Sequence, residues 1–123
     1  MFKSKNINTK NVEVLMGKES FFEGTLRSKG VVRIDGKFEG SLEVEGDLLV
    51  GQSGDVRAEI RATNVTLAGS VKGNVYVEQK MELNKTGRLE GDLRANVLLI
   101  EEGGIFHGTS LMPEEEGKEQ EKE

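Results

Sequence analysis

The sequence predicts an all-β solenoid, a chain wound into about six stacked coils of short strands with no helix. Three observations predict it. One phrase recurs through most of the chain: small residue, any residue, apolar residue, any residue, small residue, any residue, apolar residue. Apolar and polar residues alternate within each copy, the period of a strand with one dry face and one wet face. Sixteen glycines are spread through the 123 residues. At roughly 1 kcal/mol each relative to alanine inside a helix, they would defeat a helical fold.

The copies define the coils in order. The phrase reads Ser20-x-Phe22-x-Gly24-x-Leu26, then Gly36-x-Phe38-x-Gly40-x-Leu42, then Gly54-x-Val56-x-Ala58-x-Ile60. It returns as Gly69-x-Val71-x-Gly73-x-Val75 and Gly87-x-Leu89-x-Gly91-x-Leu93, and closes as a degenerate Gly104-x-Phe106-x-Gly108. The anchors at 22, 38, 56, 71, 89 and 106 are spaced by 16, 18, 15, 18 and 17 residues, so six units of about 17 residues are expected.

A second short strand precedes each later anchor: Val32-x-Ile34, Leu48-x-Val50, Val65-x-Leu67, Met81-x-Leu83 and Leu98-x-Ile100. From it to the next anchor the chain takes four residues (Ile34 to Phe38, Leu67 to Val71) or six (Val50 to Val56, Leu83 to Leu89, Ile100 to Phe106). The extra residues are turn formers, as in Asn84-Lys85-Thr86-Gly87.

Strands expected to run only three to seven residues do not stand alone, so they must stack on copies of themselves. A coil of about 17 residues holding about three such strands closes one triangular turn, and six turns at about 4.8 Å give a rod about 3 nm long. Glycine and alanine between the anchors suit its sharp corners. Apolar residues also fall every six positions, at Leu26, Val32, Phe38, Val44, Val50 and Val56, then at Val65, Val71, Val77, Leu83 and Leu89 after a three-residue slip. This partly imitates the hexapeptide repeat of left-handed β-helix acyltransferases. The slip and the unequal connections argue against that strict period, and the periodicity leaves the hand of the coil open.

Composition sets further bounds. With 35% hydrophobic and 5% aromatic residues, a large globular core is not expected. The 32% of charged residues would alone suggest disorder, which the periodicity opposes. There is no cysteine, which excludes disulfides and thiolate metal sites and fits a reducing compartment. The N-terminal residues are polar and interrupted, without the roughly 7–15-residue apolar core of a secretory signal. Nor does any stretch approach the roughly 20 apolar residues of a membrane span. A cytoplasmic protein is expected.

Charge divides the chain. Residues 1–12 carry Lys3, Lys5 and Lys10 and no acid, and form an expected flexible basic tail. Residues 13–112 form the β-helix domain. Residues 113–123 carry six glutamates against two lysines and are expected to be a disordered acidic tail. The body has no basic stripe, so no nucleic-acid partner is expected.

Candidate chemistry is sparse. Gly30…Gly36-Lys37 has one residue too many for a phosphate loop and is followed by Phe38. His107 stands alone, with no cysteine or second histidine to share a metal. Glu43 and Glu45 lie on one strand face, but nothing suggests a pocket that would fit them for acid–base work. The calcium-solenoid signature is absent. No catalytic residue, metal, nucleotide or cofactor is expected.

The phrases Val32-Arg33-Ile34-Asp35-Gly36-Lys37-Phe38-Glu39-Gly40, Gly69-Ser70-Val71-Lys72-Gly73-Asn74-Val75 and Gly87-Arg88-Leu89-Glu90-Gly91-Asp92-Leu93 resemble the bactofilins, bacterial polymer-forming cytoskeletal proteins. The resemblance covers about residues 12–112. It implies a right-handed triangular β-helix between two flexible tails, and nonpolar filaments formed without a nucleotide. It also implies a role with cell-shape or cell-wall factors, such as cell-wall hydrolases or morphogenetic proteins. The start, Met1-Phe2-Lys3-Ser4-Lys5, resembles the membrane-targeting sequence of many bactofilins. The resemblance makes Met1, Phe2, Lys3 and Lys5 candidates for contact with the inner face of the cytoplasmic membrane; the alternative is a solvated tail.

The ends of a β-helix are open sheet edges over an apolar core, and monomeric solenoids cover them with caps. No cap is visible here. Self-association through the large apolar residues of the end coils is therefore expected: Phe21 and Phe22 at one end, with Val14 and Leu15 nearby, and Ile105, Phe106 and Leu111 at the other. The alternative is that they fill the terminal coils of a monomer. A filament protein, a hexapeptide-type acyltransferase and a monomeric solenoid scaffold are the three readings the sequence leaves.

Overall fold

The computed structural model describes residues 12–111. They form eleven strands, all paired in parallel: β1 (Val12–Met16), β2 (Phe21–Ser28), β3 (Val31–Ile34), β4 (Lys37–Val44), β5 (Asp47–Val50), β6 (Asp55–Leu67), β7 (Ser70–Lys72), β8 (Val75–Leu83), β9 (Arg88–Arg94), β10 (Val97–Ile100) and β11 (Ile105–Leu111). Parallel partners that follow one another along a chain require a coil between them. Here each coil stacks directly on the last, and the result is the predicted β-solenoid of about six turns.

The register reproduces the spacing of the anchors. Phe22 pairs with Phe38, Phe38 with Val56, Val56 with Val71, Val71 with Leu89, and Leu89 with Phe106. A second inward column runs Leu26, Leu42, Ile60, Val75, Leu93. A third side of the coil supplies two more. One is Val14, Val32, Leu48, Val65, Met81, Leu98; the other is Met16, Ile34, Val50, Leu67, Leu83, Ile100. The first member of this third side, β1, extends the series of second strands one coil before Val32.

These columns make a dry core in which no polar or charged side chain is buried among the described residues. Residues of the middle coils, Phe38, Ile60, Leu67 and Met81 among them, are fully enclosed. Burial of each such side chain contributes about 1.5–3 kcal/mol relative to exposure.

Strand lengths depart from expectation. The expected strands had three to seven residues, but β6 runs for 13 and β8 for nine. Most of the corner glycines do not end strands, although Gly73 does follow the last residue of β7. Gly24 and Gly40 lie inside β2 and β4, at the corner between two inward columns. Where the repeat has Ala58 instead, β6 continues through that corner and on into the third side of the coil. The long connections before an anchor close with the same turn bond in four coils. The N–H of Ser20, Gly54, Gly87 and Gly104 donates to the carbonyl of Gly17, Gly51, Asn84 and Glu101 at 2.8–3.0 Å.

The corner column explains the need for glycine. Gly91 has a φ of 131°, in the region L side chains rarely adopt. A Cβ there would fall on the carbonyl oxygen of Gly73, one coil below. At Gly17 the nearest atom to an added Cβ is Ser20 Oγ at 3.9 Å. Gly91→Ala is therefore expected to lower unfolding stability by about 2 kcal/mol or more. Gly17→Ala is expected to change it by less than about 0.5 kcal/mol. Thermal or urea unfolding followed by circular dichroism checks the pair, and equal effects would contradict the stacking account of the corner.

Candidate functional site

The features that set this molecule apart lie at its two ends. At one end β1 pairs only with β3 and β2 only with β4; at the other β10 pairs only with β8 and β11 only with β9. Each terminal strand therefore turns one row of N–H and C=O groups away from its neighbour, the arrangement that templates further pairing.

The core is open at the same places. Leu83 is 0% exposed, whereas Ile100, one coil further along the same inward column, is 45% exposed. Leu83 has a paired strand on either side, whereas among the described residues Ile100 has one on a single side. Leu98 and Phe106 are partly buried beside it and pack against the core. At the opposite end the Phe22 ring lies on the Phe38 ring, with centroids 4.9 Å apart and planes 7° apart. Phe38 is fully enclosed; Phe22 is only half-buried.

The residues expected to mediate association divide into two kinds. Phe22 and Phe106 are inward members of the anchor column. Phe21 and Ile105 are outward: they stand at the two ends of a ladder whose inner members are Lys37, Asp55, Ser70 and Arg88. Leu111 is half-buried at the end of β11, opposite Arg94. The fold thus places Phe21 and Phe22 at one end and Ile105, Phe106 and Leu111 at the other. Met1, Phe2, Lys3 and Lys5 lie outside the described residues, as do residues 113–123. Sequence reasoning passed over Met16, Leu98 and Ile100 as end residues. Their signal was present: Leu98-x-Ile100 is the last second strand of the repeat.

The flanks are wet and charged. Arg27 Nε lies 3.1 Å from Glu43 Oε1, Lys72 Nζ 3.5 Å from Glu90 Oε1, and Arg33 Nε 2.9 Å from Asp35 Oδ2. Exposed pairs of this kind contribute about 0–1 kcal/mol each, so they serve solubility more than stability. Glu43 is held by the Arg27 cation, while Glu45 is exposed. His107 is exposed and sits in register with Glu90. Among the described residues no group of three or more His, Cys, Asp or Glu could hold a metal ion.

A parallel β-solenoid, charged along its flanks and open and apolar at both ends, defines a class of protein suited to stacking on further copies. The profile of the bactofilins, described as polymer-forming cytoskeletal, matches residues 14–110. The chain belongs to the bactofilin family.

Two curated bactofilins of Myxococcus xanthus are similar to it over 94 residues, 76% of this chain: BacP at 32% identity and BacO at 33%. The matched region spans 39% of BacP and 75% of BacO, so the chain covers well under half of the first. The fold is also similar to a cryo-EM reconstruction of Thermus thermophilus bactofilin double helical filaments. The TM-score is 0.77 at 40% identity, over 80% of this chain and 98% of that one. A crystal structure of a phenylalanine-to-arginine mutant of the Thermus protein matches with a TM-score of 0.68 at 42% identity, over 72% of this chain and 98% of the other.

Proposed function

We propose that this chain is a structural protein that self-assembles end to end into nonpolar filaments without a nucleotide. Those filaments lie along the inner face of the cytoplasmic membrane and scaffold cell-shape or cell-wall factors. The observation that carries the assembly reading is the pair of open ends, each an unpaired strand edge over an exposed apolar core. Membership in a polymer-forming cytoskeletal family supports it, as does the filament architecture of the Thermus relative.

The magnitudes are adequate. Leu98, Ile100 and Phe106 each gain up to about 1.5–3 kcal/mol when another copy covers them. Each new backbone hydrogen bond along the edge adds about 0.5–1.5 kcal/mol. Together these are large enough to compete with an association cost of about 4–15 kcal/mol. An arginine at position 106 would remove one anchor and leave a charge without a partner in the junction, a penalty of several kcal/mol. Phe106→Arg is therefore expected to abolish pelletable filaments while keeping the β circular dichroism signal. Filaments of normal length and yield from this variant, seen by negative-stain electron microscopy, would sink the assignment.

Membrane contact rests on the first residues. Phe2 supplies an apolar side chain for the headgroup region, and Lys3 and Lys5 each contribute about 1 kcal/mol at an anionic surface. One such segment is weak, but a filament carries many, and avidity multiplies them. Assembled protein is expected to co-sediment with vesicles containing anionic lipid, and Phe2→Ala filaments to remain largely in the supernatant. Equal binding by the two would remove the N-terminus from the membrane account.

A further inference from the structure

The outward faces of the strands carry ladders as regular as the core columns, and most are polar along their length. Glu23, Glu39, Arg57, Lys72, Glu90 and His107 form one such ladder, polar from end to end. Two others change character at the terminal coils. The first runs Leu15, Arg33, Leu49, Thr66, Glu82, Leu99. The second runs Phe21, Lys37, Asp55, Ser70, Arg88, Ile105. Both begin and end on a large apolar residue. A third ladder, Asp47, Asn64, Lys80, Val97, also ends on one. These outward terminal residues are among the most exposed apolar side chains described: Leu15 at 64%, Phe21 at 58%, Leu99 at 47% and Val97 at 44%.

Leu49 indicates what such a residue needs. It points outward in the same ladder as Leu15 and Leu99, has a coil on either side, and is half-buried. The terminal leucines lack one of those coils. A strand set across the end at the sheet spacing of about 4.8 Å would supply it. Chemistry also favours apolar residues at that position. A charged residue opposite its own copy across a same-end junction is destabilising, whereas a leucine is compatible with any order of ends.

We infer that the assembly junction extends past the open core onto the flanks. Leu15 and Phe21 at one end, and Val97, Leu99 and Ile105 at the other, form an apolar collar that closes against the end coil of a second copy of this chain. The inference rests on the end-to-end reading proposed above and adds to it the outward faces of β1 and β10. The collar shields the edge hydrogen bonds of the junction from water, as surrounding contacts shield an interface centre.

The test compares two outward leucines of one ladder, each replaced by a charge that lands beside an opposite one. Leu99→Lys falls next to Glu82, and Leu49→Glu next to Arg33, so neither is expected to disturb the coil itself. Sedimentation across a concentration series is expected to show Leu99→Lys needing about tenfold more protein than wild type to pellet, as loss of about 1.4 kcal/mol per junction requires. Leu49→Glu is expected to pellet at the wild-type concentration. Wild-type concentration dependence for Leu99→Lys would overturn the collar, as would an equal shift in Leu49→Glu. If Leu99→Lys loses its β circular dichroism, Leu99→Thr replaces it under the same criterion, with a shift of about threefold expected. Absence of any wild-type polymer would instead overturn the end-to-end reading itself.

Discussion

Every inner strand of this molecule is satisfied by its neighbours one coil away and by little else. The backbone ladder is parallel throughout, so each inner coil both receives and offers a full row of hydrogen bonds. The same stacking encloses the side chains: Leu67 and Leu83 lie in one column because their coils do, and each is dry because a coil lies on either side. Such a ladder has no internal reason to stop. Inside the rod this yields a closed core from a chain with few aromatic residues. At β1, β2, β10 and β11 it leaves the same groups unpaired, and the property that stabilises the fold becomes the property available for assembly.

That economy explains the composition. Each coil needs only a few inward side chains, which is why 35% hydrophobic content suffices and the flanks hold the charge. Ion pairs such as Arg27 with Glu43 and Lys72 with Glu90 bridge successive coils, but both partners are largely exposed. Their benefit is order along the ladder and solubility of a long surface, with the stability carried by the columns. The corner glycines complete the arrangement, since the coil above Gly73 can approach only where Gly91 has no side chain in the way.

Much of the fold was legible because stacking turns sequence spacing into register. The anchors at 22, 38, 56, 71, 89 and 106 are hydrogen-bonded partners in that order, so the unequal steps are the coil lengths themselves. The apparent six-residue period has the same origin. Leu26, Val32, Phe38, Val44, Val50 and Val56 all turn inward. A coil of 18 residues divides into three equal sides, and coils of 15 to 17 residues break the count. The first strand, β1, was less legible: Val14 and Met16 precede the first full phrase and are interrupted by apolar Leu15. Strand lengths were missed because a glycine inside a ladder reads as a break, whereas here it marks a corner that β2 and β4 pass through. The ends were legible in part. The phrase marks Phe22 and Phe106 as anchors, and the register places the adjacent Phe21 and Ile105 on the opposite, outward face.

The central claim is that the unpaired edges of the terminal coils are the surfaces on which copies meet. Amide hydrogen exchange of the assembled chain and of the Phe106→Arg chain, read strand by strand, tests this most directly. The account predicts that the amides of β10 and β11 that face away from β8 and β9 exchange rapidly in the variant and become protected on assembly, while β5 and β6 are protected equally in both. Assembled protein whose edge amides exchange as fast as those of the variant would contradict it, and would place the contact between copies on the flanks of the rod alone.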